Sequence, residues 1–283
     1  MRGAGTVALY ALKESTRRRV FVVVLVLTAG FLALYGVGTE AAFDVAEDTP
    51  SGPALDDQVL TGSTLLGLAM FTTLFLGCVL AVFLTLGAVR GDAERGLLQP
   101  LVVRPVGRSA LLFGRFLAAA VVCAAYVAAV YGSALVITAV AGGWWPDHPV
   151  TPGLGLMGGV VVLTALSLLG SVFLSATANG ITLFMVFGAG LAAGLLGQIG
   201  DALSVKSLET VAEVSSWVLP FEALYQAGLD DLTSGVSGAT GVVVQLGPFG
   251  GAQQGGPLLW LWTAVYLALV GLAARAAFAR RDL

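Results

Sequence analysis

The stretch that decides the fold is a polar segment at residues 90–115, which reads RGDAERGLLQPLVVRPVGRSALLFGR. It contains five of the 14 Lys and Arg residues of the chain. The runs on either side, 63–89 and 116–141, are apolar and long enough to cross a bilayer, which takes about 20 residues. We therefore predict that this segment, hereafter the 90–115 loop, lies against one face of a membrane.

The composition predicts an integral membrane protein. Hydrophobic residues make up 57% of the 283 residues and charged residues only 11%, which is more apolar side chain than one soluble domain could cover. Only helices or closed barrels satisfy their backbone in lipid, and the apolar runs do not alternate as barrel strands do. We predict an all-α polytopic protein, a single transmembrane domain at 1–283. Its six predicted transmembrane helices are 20–38, 63–89, 116–141, 154–175, 181–200 and 258–277.

The charges predict the orientation. With six spans both termini lie on the same side as the 90–115 loop, and that side carries every basic residue except Lys206. Of the 17 acidic residues, only Glu14, Asp92, Glu94 and Asp282 lie there. Because loops kept in the cytoplasm hold the excess of Lys and Arg, we predict that both termini are cytoplasmic.

Two further segments flank the spans. Residues 1–19 form an amphipathic pattern followed by an Arg run, which predicts an interfacial helix on the inner side. Residues 201–257 are the largest outer segment, and their apolar residues recur at roughly helical spacing. On periodicity alone this segment is an amphipathic surface helix followed by a Gly-rich loop.

The absent residue types exclude several mechanisms. No predicted span contains Asp, Glu, Lys or His, whereas ion-coupled transporters usually keep such groups in the bilayer. The only lysines, Lys13 and Lys206, are not part of a phosphate-binding GxxxxGK[ST] motif, so we expect no ATPase activity and no cofactor in this chain. His148 is the only histidine, and Cys78 and Cys123 lie in separate spans. We therefore predict no catalytic and no metal site.

The 90–115 loop resembles the loop between the second and third spans of type-2 ATP-binding-cassette (ABC) exporter permeases. The resemblance depends on the order of Glu94, Gly96, a hydrophobic stretch, Pro105, Gly107, Arg108, Leu111, Leu112, Gly114 and Arg115. Ala11–Glu14 before the Arg run resembles the N-terminal elbow helix of that family, and residues 280–283 resemble its usual ending. The resemblance thus covers essentially the whole chain. Within the family, the chain also resembles the permease of nitrous-oxide-reductase maturation.

In that family the loop forms a coupling helix that inserts into the ATPase subunit. Here the resemblance implies contact with the ATPase through Asp92, Glu94, Arg95, Gly96, Arg104, Pro105 and Arg108. The chain departs from the family pattern at Leu97, where Thr is common, and at Pro100, where Leu is common. From charge alone, the same loop is an ordinary basic cytoplasmic loop.

The resemblance also implies a substrate cavity shared by two permease copies and lined by the second and fifth spans. The wall residues would be Thr72, Thr73, Phe184 and Phe187. From the residues alone, lining a cavity and packing against a neighbouring helix are equally good interpretations of the threonines. The resemblance further implies that residues 201–257 dip back into the outer leaflet as re-entrant helices.

The implied function is export of a lipophilic or weakly polar solute by alternating access. The implied partners are two ABC ATPase subunits that bind ATP and Mg, a second permease copy or paralogue, and membrane lipid, with no nucleic acid. The location is the inner membrane of a prokaryote. Two alternatives stay open: a permease that transmits force to an outer-face or periplasmic partner, and a membrane scaffold without an ATPase.

Overall fold

The computed structural model describes residues 19–48, 55–85, 108–236, 238, 240, 243 and 255–279. Within these residues the chain forms eight α-helices and no strand, so the all-α prediction is confirmed. The helices are α1 (Arg19–Asp48), α2 (Asp57–Thr85), α3 (Arg108–Gly142), α4 (Val150–Phe173), α5 (Ala176–Leu203), α6 (Lys206–Val218), α7 (Pro220–Thr233) and α8 (Pro257–Ala279). Six of these, α1 to α5 and α8, are long and apolar enough to cross a membrane.

Several helices continue beyond the predicted spans. The first span was predicted to end at residue 38, but α1 continues through Glu40 and Asp44 to Asp48. Similarly, α3 begins at Arg108, eight residues before the predicted third span. Hydropathy identifies only the part of a helix that matches the hydrocarbon thickness. The helix itself continues beyond that part, because its backbone hydrogen bonds also form where the side chains are polar.

Helices α2 and α4 form the centre of the bundle. In their apolar stretches 67% and 61% of the residues are buried, against 22% in α1 and 17% in α8. The fully buried side chains include Leu66, Met70 and Leu74 of α2 and Leu156 and Leu163 of α4. The peripheral helices α1 and α8 therefore present most of their surface to lipid or to another protein.

Pairs of neutral polar side chains join neighbouring helices. The hydroxyls of Thr28 and Tyr126 lie 2.5 Å apart, and Tyr35 Oη lies 2.6 Å from Thr138 Oγ1, so both pairs link α1 to α3. Deeper in the bundle, Asn179 Nδ2 of α5 donates to the backbone oxygen of Ser167 in α4 over 2.9 Å. Such bonds satisfy polar groups that would otherwise be exposed to hydrocarbon.

The two short helices form a hairpin that enters the bundle. Helix α6 turns back along α5, since Leu208 and Glu209 lie beside Gly200. At the turn between the helices, Phe221 lies against Gly159 and Gly190, each near the middle of its own helix. Helix α7 then returns until Gly235 lies beside Asp147, in the loop before α4. The hairpin therefore enters and leaves the helix bundle at the same end, as a re-entrant segment would, and α7 rather than α6 is the inserted part.

Glycines allow α7 to pack directly on α4. A β-carbon at Gly155 would lie 2.6 Å from the backbone oxygen of Leu224, and one at Gly159 would lie 3.2 Å from that of Phe221. The 2.6 Å separation at Gly155 is shorter than real β-carbons show, so a side chain at that position would collide with α7. The GxxxG spacing of Gly155 and Gly159 thus marks close helix packing, as it does in other membrane proteins, and the partner is the re-entrant helix.

Candidate functional site

The predicted ATPase-contact residues fall at the edge of the described structure. Arg108 is the first residue of α3, and only its backbone is described. The other six lie outside the described residues: Asp92, Glu94, Arg95, Gly96, Arg104 and Pro105. Their role in coupling to an ATPase therefore stays a prediction.

The two predicted threonines of the cavity wall occupy different positions on α2. Thr72 is half-buried, and its Oγ1 donates to the backbone oxygen of Leu68 over 3.0 Å. Thr73 is fully buried, and its Oγ1 donates to Ala69 over 2.7 Å. Since both hydroxyls bond to their own helix, neither leaves an unused donor for a polar solute. Of the two, only Thr72 is accessible from outside the bundle.

The two predicted phenylalanines belong to a cluster of aromatic rings that joins three helices. The ring of Phe75 in α2 lies 6.3 Å from that of Phe184 and 6.0 Å from that of Phe187, both in α5. Phe187 in turn stacks at 5.8 Å on Phe221 of the re-entrant α7. These centroid distances are typical of favourable aromatic pairs. Phe187 is buried, whereas Phe75 and Phe184 are exposed.

Around these rings lies an exposed apolar surface, hereafter the α2–α5 face. It consists of Leu68, Phe71, Phe75, Ile181 and Phe184, each exposed in the described part of the molecule. The α2 members recur at intervals of three and four residues, which places them on one side of the helix. Phe71 and Phe75 are not among the wall residues predicted from the sequence. Their helical spacing was a usable signal, because Phe71 follows Leu68 by three residues and Phe75 follows Thr72 by three.

A buried carboxylic acid that was not predicted from the sequence lies behind this face. Glu222 of α7 is only 4% exposed, although the segment that contains it was predicted to be an outer segment. Burial raises the pKa of its carboxyl group to about 7, and a side-chain hydrogen bond with Gln226 acts in the opposite direction. Gln198 Nε2 of α5 donates to Gln226 Oε1 over 3.2 Å. The spacing of Glu222 and Gln226 by four residues on an otherwise apolar helix could have drawn attention to them.

The predicted outer end of the bundle carries an acidic depression of about 610 Å³. It lies between the end of α1, the start of α2 and the end of α3. Its acidic lining residues are Asp44, Glu47, Asp56 and Asp57. Cys78 and Cys123 do not line this depression and are buried in the core as free thiols.

Six apolar helices of membrane-spanning length define a multi-pass membrane protein. The model of the ABC-2 family transporter protein matches residues 6–283, which is nearly the whole chain. The chain therefore belongs to this family and is a membrane permease subunit of an ABC transporter. Membership of the family implies, in general terms, an ABC ATPase as its partner. A search of curated proteins finds no match.

Proposed function

We propose that the chain is one half of a transmembrane dimer that exports a lipophilic or weakly polar solute by alternating access. Two ABC ATPase subunits bind ATP and Mg and supply the energy, because the chain itself has no phosphate-binding motif. The complex lies in the inner membrane of a prokaryote, with both termini of the permease in the cytoplasm. The second permease is either another copy of this chain or a paralogue.

The observation that supports this proposal best is the α2–α5 face. Its exposed side chains are aliphatic or aromatic, and it lies beside the half-buried Thr72, whose hydroxyl is already bonded to its own helix. A wall without charges favours binding of an apolar molecule, since burial of apolar surface supplies the affinity and few polar groups require partners. A second permease facing this surface would enclose the cavity.

The aromatic cluster offers a mechanical link between the cavity wall and the hairpin. Phe75, Phe184 and Phe187 connect α2 to α5, and Phe187 connects α5 to Phe221 at the tip of α7. Packed side chains transmit rigid-body movement because they cannot be compressed. In the proposed cycle, closure of the ATPase pair pushes the 90–115 loop, and the tilt of α2 and α5 changes access from the inner to the outer side.

Co-purification tests the partner. The tagged wild-type chain is expressed with its ATPase, and the ATPase retained on the chain is measured beside that of Glu94→Lys. We expect Glu94→Lys to lose most of the ATPase, because it reverses a charge in the predicted coupling helix. The matched control is Glu213→Lys, which makes the same change at an exposed position of α6 and should retain the partner. Equal retention by both variants would contradict contact through the loop.

The acidic depression favours a second candidate function. A basic outer-face or periplasmic protein could dock against Asp44, Glu47, Asp56 and Asp57, and the permease would then pass force to it instead of moving a solute. Solute-stimulated ATP hydrolysis by the purified complex would support transport over force transmission. A chain that retains no ATPase at all would support the scaffold alternative.

A further inference from the structure

Glu222 is a buried carboxylic acid at the contact between α7 and α5. Among the described residues its Oε1 atom has no hydrogen-bond partner. The same oxygen packs against Gly194 so closely that any side chain at that position would collide with it. Gly190, one turn earlier on α5, likewise makes room for the ring of Phe221. The carboxyl group is thus enclosed in a glycine-lined contact between α7 of the hairpin and α5.

The described residues provide no positive charge beside this carboxyl group. Lys206 begins α6, where the neighbouring Leu208 and Glu209 lie beside Gly200. Gly200 is about 9 Å further along α5 than Gly194, at 1.5 Å per residue. The other basic residues of the described structure lie near the predicted inner ends of α1, α3 and α8: Arg19, Arg108, Arg115 and Arg275. An ionised Glu222 would therefore be a buried anion without a cation, which is unfavourable.

The remaining titratable groups on α7 and on the helices packed against it also provide no compensating positive charge for the Glu222 carboxyl group. Helix α4 contains none, and no charged group contributes to the pKa of Glu222, which responds to burial and to Gln226. The nearest coupled group is Tyr225, whose pKa is raised by its own burial and then by the charge of Glu222. The remaining groups are Asp230 and Asp231 of α7, Glu209 and Glu213 of α6, Asp201 at the end of α5, Asp57 and Cys78 of α2, and Tyr266 of α8.

A line of side-chain amides connects the carboxyl group to the surface. Gln226 lies one turn from Glu222 on α7, and its Oε1 accepts a hydrogen bond from the half-buried Gln198 of α5. Gln198 follows Phe184 by about four whole turns, which places it on the same stripe of α5 as the exposed α2–α5 face. Water that reaches Gln198 from the outer end of this face therefore has a hydrogen-bonded route toward Glu222.

We propose that Glu222, together with Gln226 and Gln198, is a proton-binding site that controls the contact between α7 and α5. The neutral carboxyl group fits the glycine-lined contact. When its O–H bond breaks and the proton passes to water near Gln198, the remaining carboxylate requires hydration, and the two helices separate to admit it. This site operates in the permease chain itself and does not depend on the identity of the cargo or on the ATPase.

The direction of the pH effect follows from the raised pKa of Glu222. With the helices apart, the pKa returns toward its ordinary value of 4.5, whereas in the closed contact it is about 7. The contact is therefore strongest at acidic pH, weakens as pH rises between these two values, and changes little above the higher one. One proton changes the opening equilibrium by at most about tenfold per pH unit in that window.

Infrared titration of the full-length chain in lipid nanodiscs tests the site directly. We expect the wild type to show a carbonyl band of a protonated carboxyl group that disappears as pH is raised through neutrality. The band should be missing in Glu222→Gln, which keeps the size and neutrality of the protonated side chain, and present in the control Glu213→Gln. A wild type without a band that titrates near neutrality, or a band that persists in Glu222→Gln, would overturn the proposal.

Amide hydrogen exchange tests the consequence for the contact. After correction for the pH dependence of intrinsic amide exchange, we expect protection of residues 220–233 to fall several-fold between about pH 5 and about pH 7 in the wild type and in the control Glu213→Gln. In Glu222→Gln the protection should stay constant over that range. The same pH dependence in both proteins would refute the proposal. Since neither measurement uses an ATPase or a cargo, their outcome is separate from that of the transport tests.

Discussion

Replacing Gly155 by alanine tests whether the hairpin is held by direct backbone packing. The added β-carbon would lie 2.6 Å from the backbone oxygen of Leu224 and 3.8 Å from the α-carbon of Gly228. The oxygen belongs to a helix and cannot rotate away as a flexible side chain would, so α7 must shift from α4. Overpacking of this kind costs about 1 to 3 kcal/mol. We expect Gly155→Ala to lower the thermal unfolding midpoint in detergent and to increase hydrogen exchange in α7.

Gly132→Ala provides the matched control. Gly132 also lies inside a long apolar helix, but a β-carbon there has nothing within 4 Å among the described residues. Both variants gain the same helix propensity, up to about 1 kcal/mol, so the difference between them isolates the collision. If Gly155→Ala is as stable as Gly132→Ala and leaves exchange in α7 unchanged, the described contact between α4 and α7 is wrong.

Two further predictions concern, first, the aromatic contacts between α2 and α5 and, second, one interhelical hydrogen bond. Phe75→Ala removes the ring that contacts both Phe184 and Phe187, so in the ATPase complex it should reduce solute-stimulated ATP hydrolysis several-fold, while Phe83→Ala, elsewhere on α2, should not. Equal loss in both would exclude a special role for the cluster. Asn179→Ala removes the bond to Ser167 and should destabilise the chain by about 1 kcal/mol in chemical unfolding, whereas Ser133→Ala, whose hydroxyl is exposed and bonds within its own helix, should have little effect. An unchanged Asn179→Ala would mean that this bond contributes nothing net.

The sequence alone was sufficient for the class of the protein and the number of long helices. Six apolar runs of membrane-spanning length leave few alternatives, because a lipid-exposed backbone must bond to itself. The GxxxG spacing of Gly155 and Gly159 can also be read from the sequence, and in the structure it corresponds to a close helix contact. These features are local, since each depends on the composition or spacing of one segment and not on what lies opposite to it.

Tertiary structure decided which partner each segment meets. Helix α6 stays largely exposed, with Ala212 as its buried residue. Helix α7 is too short for a span, yet most of its apolar side chains are buried by insertion between α4 and α5, where glycines leave room for it. That insertion carries Glu222 into the interior, so a search for ionisable groups within the six spans alone could not find it. Likewise, Thr73 faces the core and Phe75 faces outward because the neighbouring helices cover only one side of α2. Burial is a property of the assembled helices, and periodicity within one helix does not reveal which side they cover.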